Sequence, residues 1–237
     1  TDAQAAAWQW RAHDPVKNQE VVVKIIADLL VMTESERKDF AGKVQMFAGR
    51  TLAGCVMPSE VIQGDGFVAV VTPYIQAVSL RDVIDARRAL GQGFTPEESL
   101  RVVLSLVGAI QAMHTASPHG ALRPGNVMVT ARGILLTDGV VGMCVPHDRV
   151  YARLDAHADL AVFAAPEFAH KRKPTASADL YALGMIAASL LGATLSRAGA
   201  DLAALTPELQ RAVSTLIERE PGKRPAGIRL LLEALTA

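Results

Sequence analysis

Apolar and polar positions alternate from Trp8 through Ala12 and give way to VVVKII at 21–26, a period of two that predicts two strands with Asp14-Pro15 at the turn between them. Thr33 followed by Glu36 has the form of a capping box, and Phe40, Val44 and Phe47 then recur at helical spacing until Gly49 and Gly54 end the run. Two further strands are predicted around Cys55 to Ile62 and Phe67 to Thr72, with Gly64-Asp65-Gly66 as the hairpin turn. After Tyr74 the period lengthens. Leu80 to Leu90 reads as a short amphipathic helix, and Thr95 with Glu98 opens another whose apolar face is Leu100, Val103, Leu104, Val107 and Ile110, running to His114. Residues 119–138, HGALRPGNVMVTARGILLTD, read as a loop, a strand, a turn at Arg132-Gly133 and a second strand ending on an acid. Gly139 to Phe163 is predicted to be irregular. Ser177 to Leu195 is apolar nearly all round, the mark of a buried helix, and Leu209 to Arg219 and Gly227 to Ala237 are amphipathic. A small β-rich part with one main helix precedes a larger helical part, which is an α+β arrangement. The division expected is one domain over 1–237, with a small lobe over 1–73 and a large lobe over 74–237.

Composition narrows the function classes. Half of the 237 residues are hydrophobic, enough for a substantial core, while Lys plus Arg and Asp plus Glu both number 24. A net charge of zero lacks the basic surplus by which nucleic-acid binders declare themselves, so no nucleic-acid partner is expected. Cys55 and Cys144 have no C-x-x-C spacing, and two reduced thiols in a cytoplasmic setting are expected in place of a disulfide or a zinc site. The uncharged run Leu180 to Leu195 is short for a bilayer crossing, and no stretch has the make-up of a signal peptide. An opening on Thr1 suggests a domain from a longer protein, which could be anchored elsewhere. Heavy use of Ala, Arg, Val and Leu suggests a bacterium with GC-rich DNA.

Seven short stretches fall in a telling order: VVVK at 21–24, TPYIQAVSL at 72–80, HGALRPGN at 119–126, TDGVVG at 137–142, AAPEF at 164–168, SADLYALG at 177–184 and REPGKRP at 219–225. Together they resemble the V-A-I-K strand, the hinge, the H-R-D-x-K-P-x-N catalytic loop, the D-F-G region, A-P-E, the start of the large lobe's central helix and D-P-x-x-R-P of the protein kinases, in particular the bacterial Ser/Thr kinases. The resemblance implies a bilobal kinase-like fold. It also implies a chemistry of positioning and charge stabilisation around Mg-bound phosphates, which needs a phosphate clamp, metal ligands and a base.

Measured against that family, the chemistry is eroded. Ala121 occupies the position of the base and has no proton acceptor. Gly120 replaces the arginine beside it, Arg123 stands in for the loop lysine, and His119 falls at a packing position. The phosphate-covering glycines would fall near Asp2, Gln4 and Ala7, and no glycine occurs in the first forty residues. Lys24 matches the phosphate-holding lysine, but its usual glutamate falls at Lys43; Asp39, one turn earlier, could take that place in a slipped register, and a solvated strand lysine is the plain alternative. Val22 crowds the roof over an adenine. Asn126 and Asp138 stand at the two metal-ligand positions, against plainer readings in which Asn126 bonds within its own loop and Asp138 caps a turn. D-F-G has become Asp138-Gly139-Val140. Between Gly139 and Phe163 no Ser or Thr occurs and Tyr151 is the only hydroxyl, which removes the common phosphorylation switch. The basic run His170-Lys171-Arg172-Lys173 reads as a solvated loop before it reads as a dock for an acidic partner or lipid.

The supports are kept. Glu167 and Arg224 match a buried ion pair of the family, and Asp179 matches the acid that holds the catalytic loop. Scaffold without chemistry is the pattern of a pseudokinase: a protein-binding, regulatory module with no catalytic residue, no cofactor expected and at most weak binding of ATP with Mg. The alternative is an atypical, low-activity Ser/Thr kinase or other phosphotransferase using Lys24, Asn126 and Asp138 with a base from Asp148, Asp155 or Asp159. A nucleotide sensor without turnover is a third form.

Overall fold

The computed structural model describes residues 7–26, 33–145, 161–170 and 173–236. Its small lobe is a four-stranded antiparallel sheet with one long helix. Strand β1 (Ala7–Asp14) pairs with β2 (Gln19–Ile26) in a register that sets Trp10 opposite Val23. The turn between them is held by Asp14, whose Oδ1 accepts the backbone N–H groups of Val16 and Lys17 at 2.9 and 3.1 Å. Helix α1 (Glu34–Gln45) begins at the Thr33–Glu36 capping box. Strands β3 (Glu60–Gly64) and β4 (Phe67–Pro73) complete the sheet in the order β1-β2-β4-β3. β3 starts later than the sequence pattern suggests. Pro58, which cannot donate to a ladder, precedes it, and Cys55 instead makes an isolated bridge to Leu136. Gly54 and Val56 exchange backbone hydrogen bonds with Leu136 at 2.8 and 2.7 Å, which stitches this connection to the other lobe.

The large lobe contains strand β5 (Val78–Ser79), helices α2 (Leu80–Ala89) and α3 (Pro96–His114), and strands β6 (Val127–Thr130) and β7 (Gly133–Leu136). Helix α4 (Gly139–Cys144) follows directly. The segment after Asp138 is therefore helical at its start, not irregular: VVGMCV has no strong helical period, and the helix owes its place to packing. The remainder is helix α5 (Ala176–Leu190), strands β8 (Thr194–Ser196) and β9 (Gly199–Asp201), and helices α6 (Pro207–Leu216) and α7 (Arg229–Thr236). α5 stops short of Leu195. Gly192 takes φ +86, a left-handed turn that releases the chain into the β8–β9 hairpin.

Two cores organise these parts. α5 lies at the centre of the larger one, where Leu183, Met185, Ile186, Ala187 and Ala188 are inaccessible to solvent. The smaller core joins Phe40 and Val44 of α1 to Val68 and Val70 of β4, and it also takes in Met113 and the α4 segment through Val140, Cys144 and Val145. α5 can approach α6 closely because of Gly184: a Cβ there would meet Ile217 Cγ2 and Leu216 Cβ, each at 2.8 Å.

Gly184→Val is expected to cost about 1–3 kcal/mol by overpacking this contact. Gly108→Ala, on the exposed side of α3 with nothing within 4 Å of the added carbon, is expected to gain roughly 0.5–1 kcal/mol from helix propensity. Urea unfolding of the two variants beside the parent checks both.

Candidate functional site

The site is built on the loop from His119 to Asn126, and that loop is built on Asp179. This carboxylate sits in the first turn of α5, 1% exposed. It accepts the backbone N–H of His119 at 2.7 Å, that of Gly120 at 2.9 Å, and the Nε2–H of His114 at 2.8 Å. Gly120 turns through φ +70, and a Cβ on it would meet Pro174 at 2.9 Å, so both the backbone angle and the space demand glycine. His119 is fully buried. Its Nε2–H donates to the Thr137 carbonyl at 3.0 Å while Nδ1 accepts the Ala121 N–H at 3.3 Å. This fixes one tautomer of a neutral ring, and burial pushes its pKa down against the pull of Asp179 and Asp138. Asn126, buried in the short turn Pro124–Asn126, donates Nδ2 to the Ala121 carbonyl at 2.8 Å. The loop is thus pinned on both sides of Ala121, whose side chain is a methyl.

Lys24 on β2 reaches across to Asp138 and pairs with its Oδ2; both side chains are largely buried. Burial would raise the Asp138 pKa, but the Lys24 ammonium and its hydrogen bond, with Arg123 behind them, outweigh it and hold the carboxyl below the ordinary range. Asp138 itself stands at φ +65 and makes no cap to α4, so the turn-capping reading of this side chain does not hold. The slipped-register reading of Asp39 also fails. Asp39 pairs with Lys43 at 2.5 Å on the exposed side of α1, because the face that meets the sheet is that of Phe40, Ala41 and Val44. Val22, half-buried, lies opposite Arg11 and Thr72 on the sheet face that also carries Lys24. Arg11 there pairs with Glu20 at 2.6 Å and stacks on Tyr74 at 4.2 Å.

The stretch around Glu167 is clamped separately. Glu167 and Arg224 form a two-pronged pair, both contacts 2.7 Å, with the arginine side chain at 0% exposure and the glutamate at 4%. The Arg224 Nε–H and Nη1–H also donate to the carbonyls of Glu218 and Ser177 at 2.7 and 3.0 Å, and the Tyr181 ring lies 5.0 Å away. His114, Ser177 and Tyr181 complete these two sites and escaped the sequence reading. The only signal was their nearness in the chain to His119 and Asp179.

Among the described residues no group of three or more His, Cys, Asp or Glu is gathered. Asn126 commits its amide nitrogen to the loop, which leaves the amide oxygen as its ligand atom, and Asp138 pairs with Lys24 through Oδ2; a Mg ion held by these two would take its remaining oxygens from phosphate and water. Asp2, Gln4, Asp148, Tyr151, Asp155, Asp159, Lys171 and Arg172 lie outside the described residues.

The profile of the family described as "Protein tyrosine and serine/threonine kinase" matches residues 4–198. The chain belongs to the protein kinase family. It is similar to a serine/threonine-protein kinase, drp72, of Corynebacterium efficiens: 25% identical over 259 residues, covering 96% of this chain and 47% of that protein. It is also similar to PknA of Corynebacterium glutamicum, 23% identical over 258 residues, covering 94% and 52%. The chain thus spans about half the length of these curated relatives. The crystal structure of the Mycobacterium tuberculosis PknI kinase domain shares the fold, with a TM-score of 0.76 at 19% identity, over 98% of this chain and 91% of that one. The architecture is the bilobal kinase fold, and the family is bacterial Ser/Thr kinase-like. Among the described residues no helix is long and apolar enough to cross a membrane.

Glu167→Ala strands Arg224 in the interior and is expected to cost about 3–5 kcal/mol, read by urea or thermal unfolding. His119 has a depressed folded pKa. The unfolded chain therefore binds a proton that the folded one refuses, and stability falls as pH drops below the ordinary histidine value of about 6.5. Stability measured from pH 7.5 to 5 is expected to fall, with a limiting slope of about 1.4 kcal/mol per pH unit from this group, and the fall is expected to shrink in His119→Gln.

Proposed function

We propose that this chain is a pseudokinase domain: a kinase scaffold without phosphoryl transfer, serving as a protein-binding, regulatory module, and binding ATP weakly or not at all. The observation that carries the reading is Ala121. Asp179, His119 and Asn126 hold the loop in place, and the position from which a base would take a hydroxyl proton carries only a methyl. Around it, Lys24 has a protein carboxylate for its partner, Lys43 and Asp39 neutralise each other on the surface, and among the described residues α1 supplies Lys24 with no glutamate.

A second reading has support of its own. Lys24, Asn126 and Asp138 are brought to one place, and the curated relatives are named serine/threonine kinases. In that reading the chain is a low-activity phosphotransferase with a base supplied from outside the described residues.

Thermal melts with millimolar ATP and Mg or Mn, paired with a label-transfer assay, separate the two. A ligand at 100 times its Kd stabilises by about 2.7 kcal/mol, roughly 5–10 °C in a domain of this size. The pseudokinase reading expects a shift well below that and no transfer of label. Stoichiometric transfer that disappears in Asp138→Ala overturns it and favours the second reading.

A further inference from the structure

The two glycines of α4 make an unusually close joint with the catalytic loop. A Cβ on Gly142 would lie 2.5 Å from the Ala121 Cβ, 2.9 Å from the His119 carbonyl oxygen and 3.0 Å from the Ala121 nitrogen. One on Gly139 would lie 2.9 Å from His119 Cδ2 and 3.1 Å from Met113 Cε. The backbone of α4 therefore lies directly on His119 to Ala121, the stretch at whose end a base would stand. Its other side is equally committed. Val140, Cys144 and Val145 are each 5% exposed or less and pack into the small-lobe core with Phe40, Val44, Val68 and Val70. The start of the helix is tied down as well: Gly142 N–H donates to the Asp138 carbonyl at 2.8 Å, and the Asp138 side chain is held by Lys24 of β2.

We infer that α4 is a built-in plug: Gly139, Gly142 and Ala121 form a matched joint that seats the segment after Asp138 between α1 and the catalytic loop, with the half-buried Ala121 methyl as part of its seat. The inference rests on the pseudokinase reading in one respect, that position 121 has no catalytic task and is free to serve packing. The absent base and the altered D-F-G are then one adaptation. A phenylalanine side chain at 139 would run into His119 and Met113, and a side chain at 142 would run into Ala121. α4 itself carries no hydroxyl that could take a phosphate, and whatever opens the plug must compete with the burial of Val140, Cys144 and Val145. Restoring an acid by Ala121→Asp alone would then loosen the joint without building an active site.

Cys144 reports the state of the plug, since α4 buries it. In a Cys55→Ala background it is the only thiol of the chain, and its reaction with a small thiol reagent under native conditions follows the opening of α4. The parent is expected to react far more slowly than the urea-unfolded chain. Gly142→Ala and Ala121→Asp are each expected to speed labelling at least tenfold while the circular dichroism and a cooperative melt persist; Gly108→Ala serves as a control with an unchanged rate. Labelling within twofold of the parent in both joint variants overturns the inference, as does a parent that reacts as fast as the unfolded chain. If the variants do not fold, amide exchange of the parent decides. Protection of Gly142 and Val145 comparable to that of α1 supports the plug, and exchange at unprotected rates overturns it. Phosphotransfer is assayed separately on the parent and on Ala121→Asp: transfer by the parent sinks the pseudokinase reading without touching the labelling result.

Discussion

Asp179 is a charge in the interior, and the centre of the molecule is arranged to make that tolerable. Both carboxylate oxygens accept backbone N–H groups of the His119–Gly120 turn, and His114 adds a third donor. Its place in the first turn of α5 sets it against the positive end of the helix dipole. A buried carboxylate without these partners would cost several kcal/mol; with them, the loop has one position relative to α5. The geometry of His119, Gly120, Ala121 and Asn126 all follows from that anchor. The consequence is that the loop keeps its shape whether or not it does chemistry.

The same physics is used again at Glu167 and Arg224, where a two-pronged ion pair is closed off from water and the remaining guanidinium contacts go to carbonyls, the Ser177 hydroxyl and an aromatic face. These two buried polar clusters are scaffold: one sets the loop that carries Ala121, and the other ties Glu167 to the large lobe. The charged residues around the cleft pair with one another: Lys24 turns inward to Asp138, while Lys43 with Asp39 and Arg11 with Glu20 pair at the surface. A kinase-like site must hold its charges ready for phosphate and metal, and here the charges are satisfied by protein. That contrast between kept supports and self-satisfied cleft is the physical content of the pseudokinase reading, and α4 packed on Ala121 is its most compact expression.

Much of the fold was legible in the chain. The two long capping boxes at Thr33–Glu36 and Thr95–Glu98 start helices where the pattern placed them, because a cap is a local device made by residues three apart. α5 was visible as a run apolar all round, since a helix at the centre of a lobe has no solvent side. Family motifs marked Glu167, Arg224 and Asp179 as supports, and Ala121, Lys24, Asn126 and Asp138 as the altered site, because each lies at a fixed offset inside a short quoted stretch.

What the chain alone determined, then, was which elements exist and which chemical groups stand at the positions of the site. Tertiary structure decided how those groups pair and where elements stop. The register of α1 on the sheet turned Asp39 and Lys43 to solvent and left Lys24 to Asp138. α4 escaped the pattern because VVGMCV is apolar without a strong period, and its helix is stabilised by a loop and a core brought together from distant parts of the chain. Cys55 bridges to Leu136 for the same reason. Caps, propensity and composition are properties of neighbouring residues; pairing across eighty or a hundred residues depends on the path of the backbone, which local sequence does not carry.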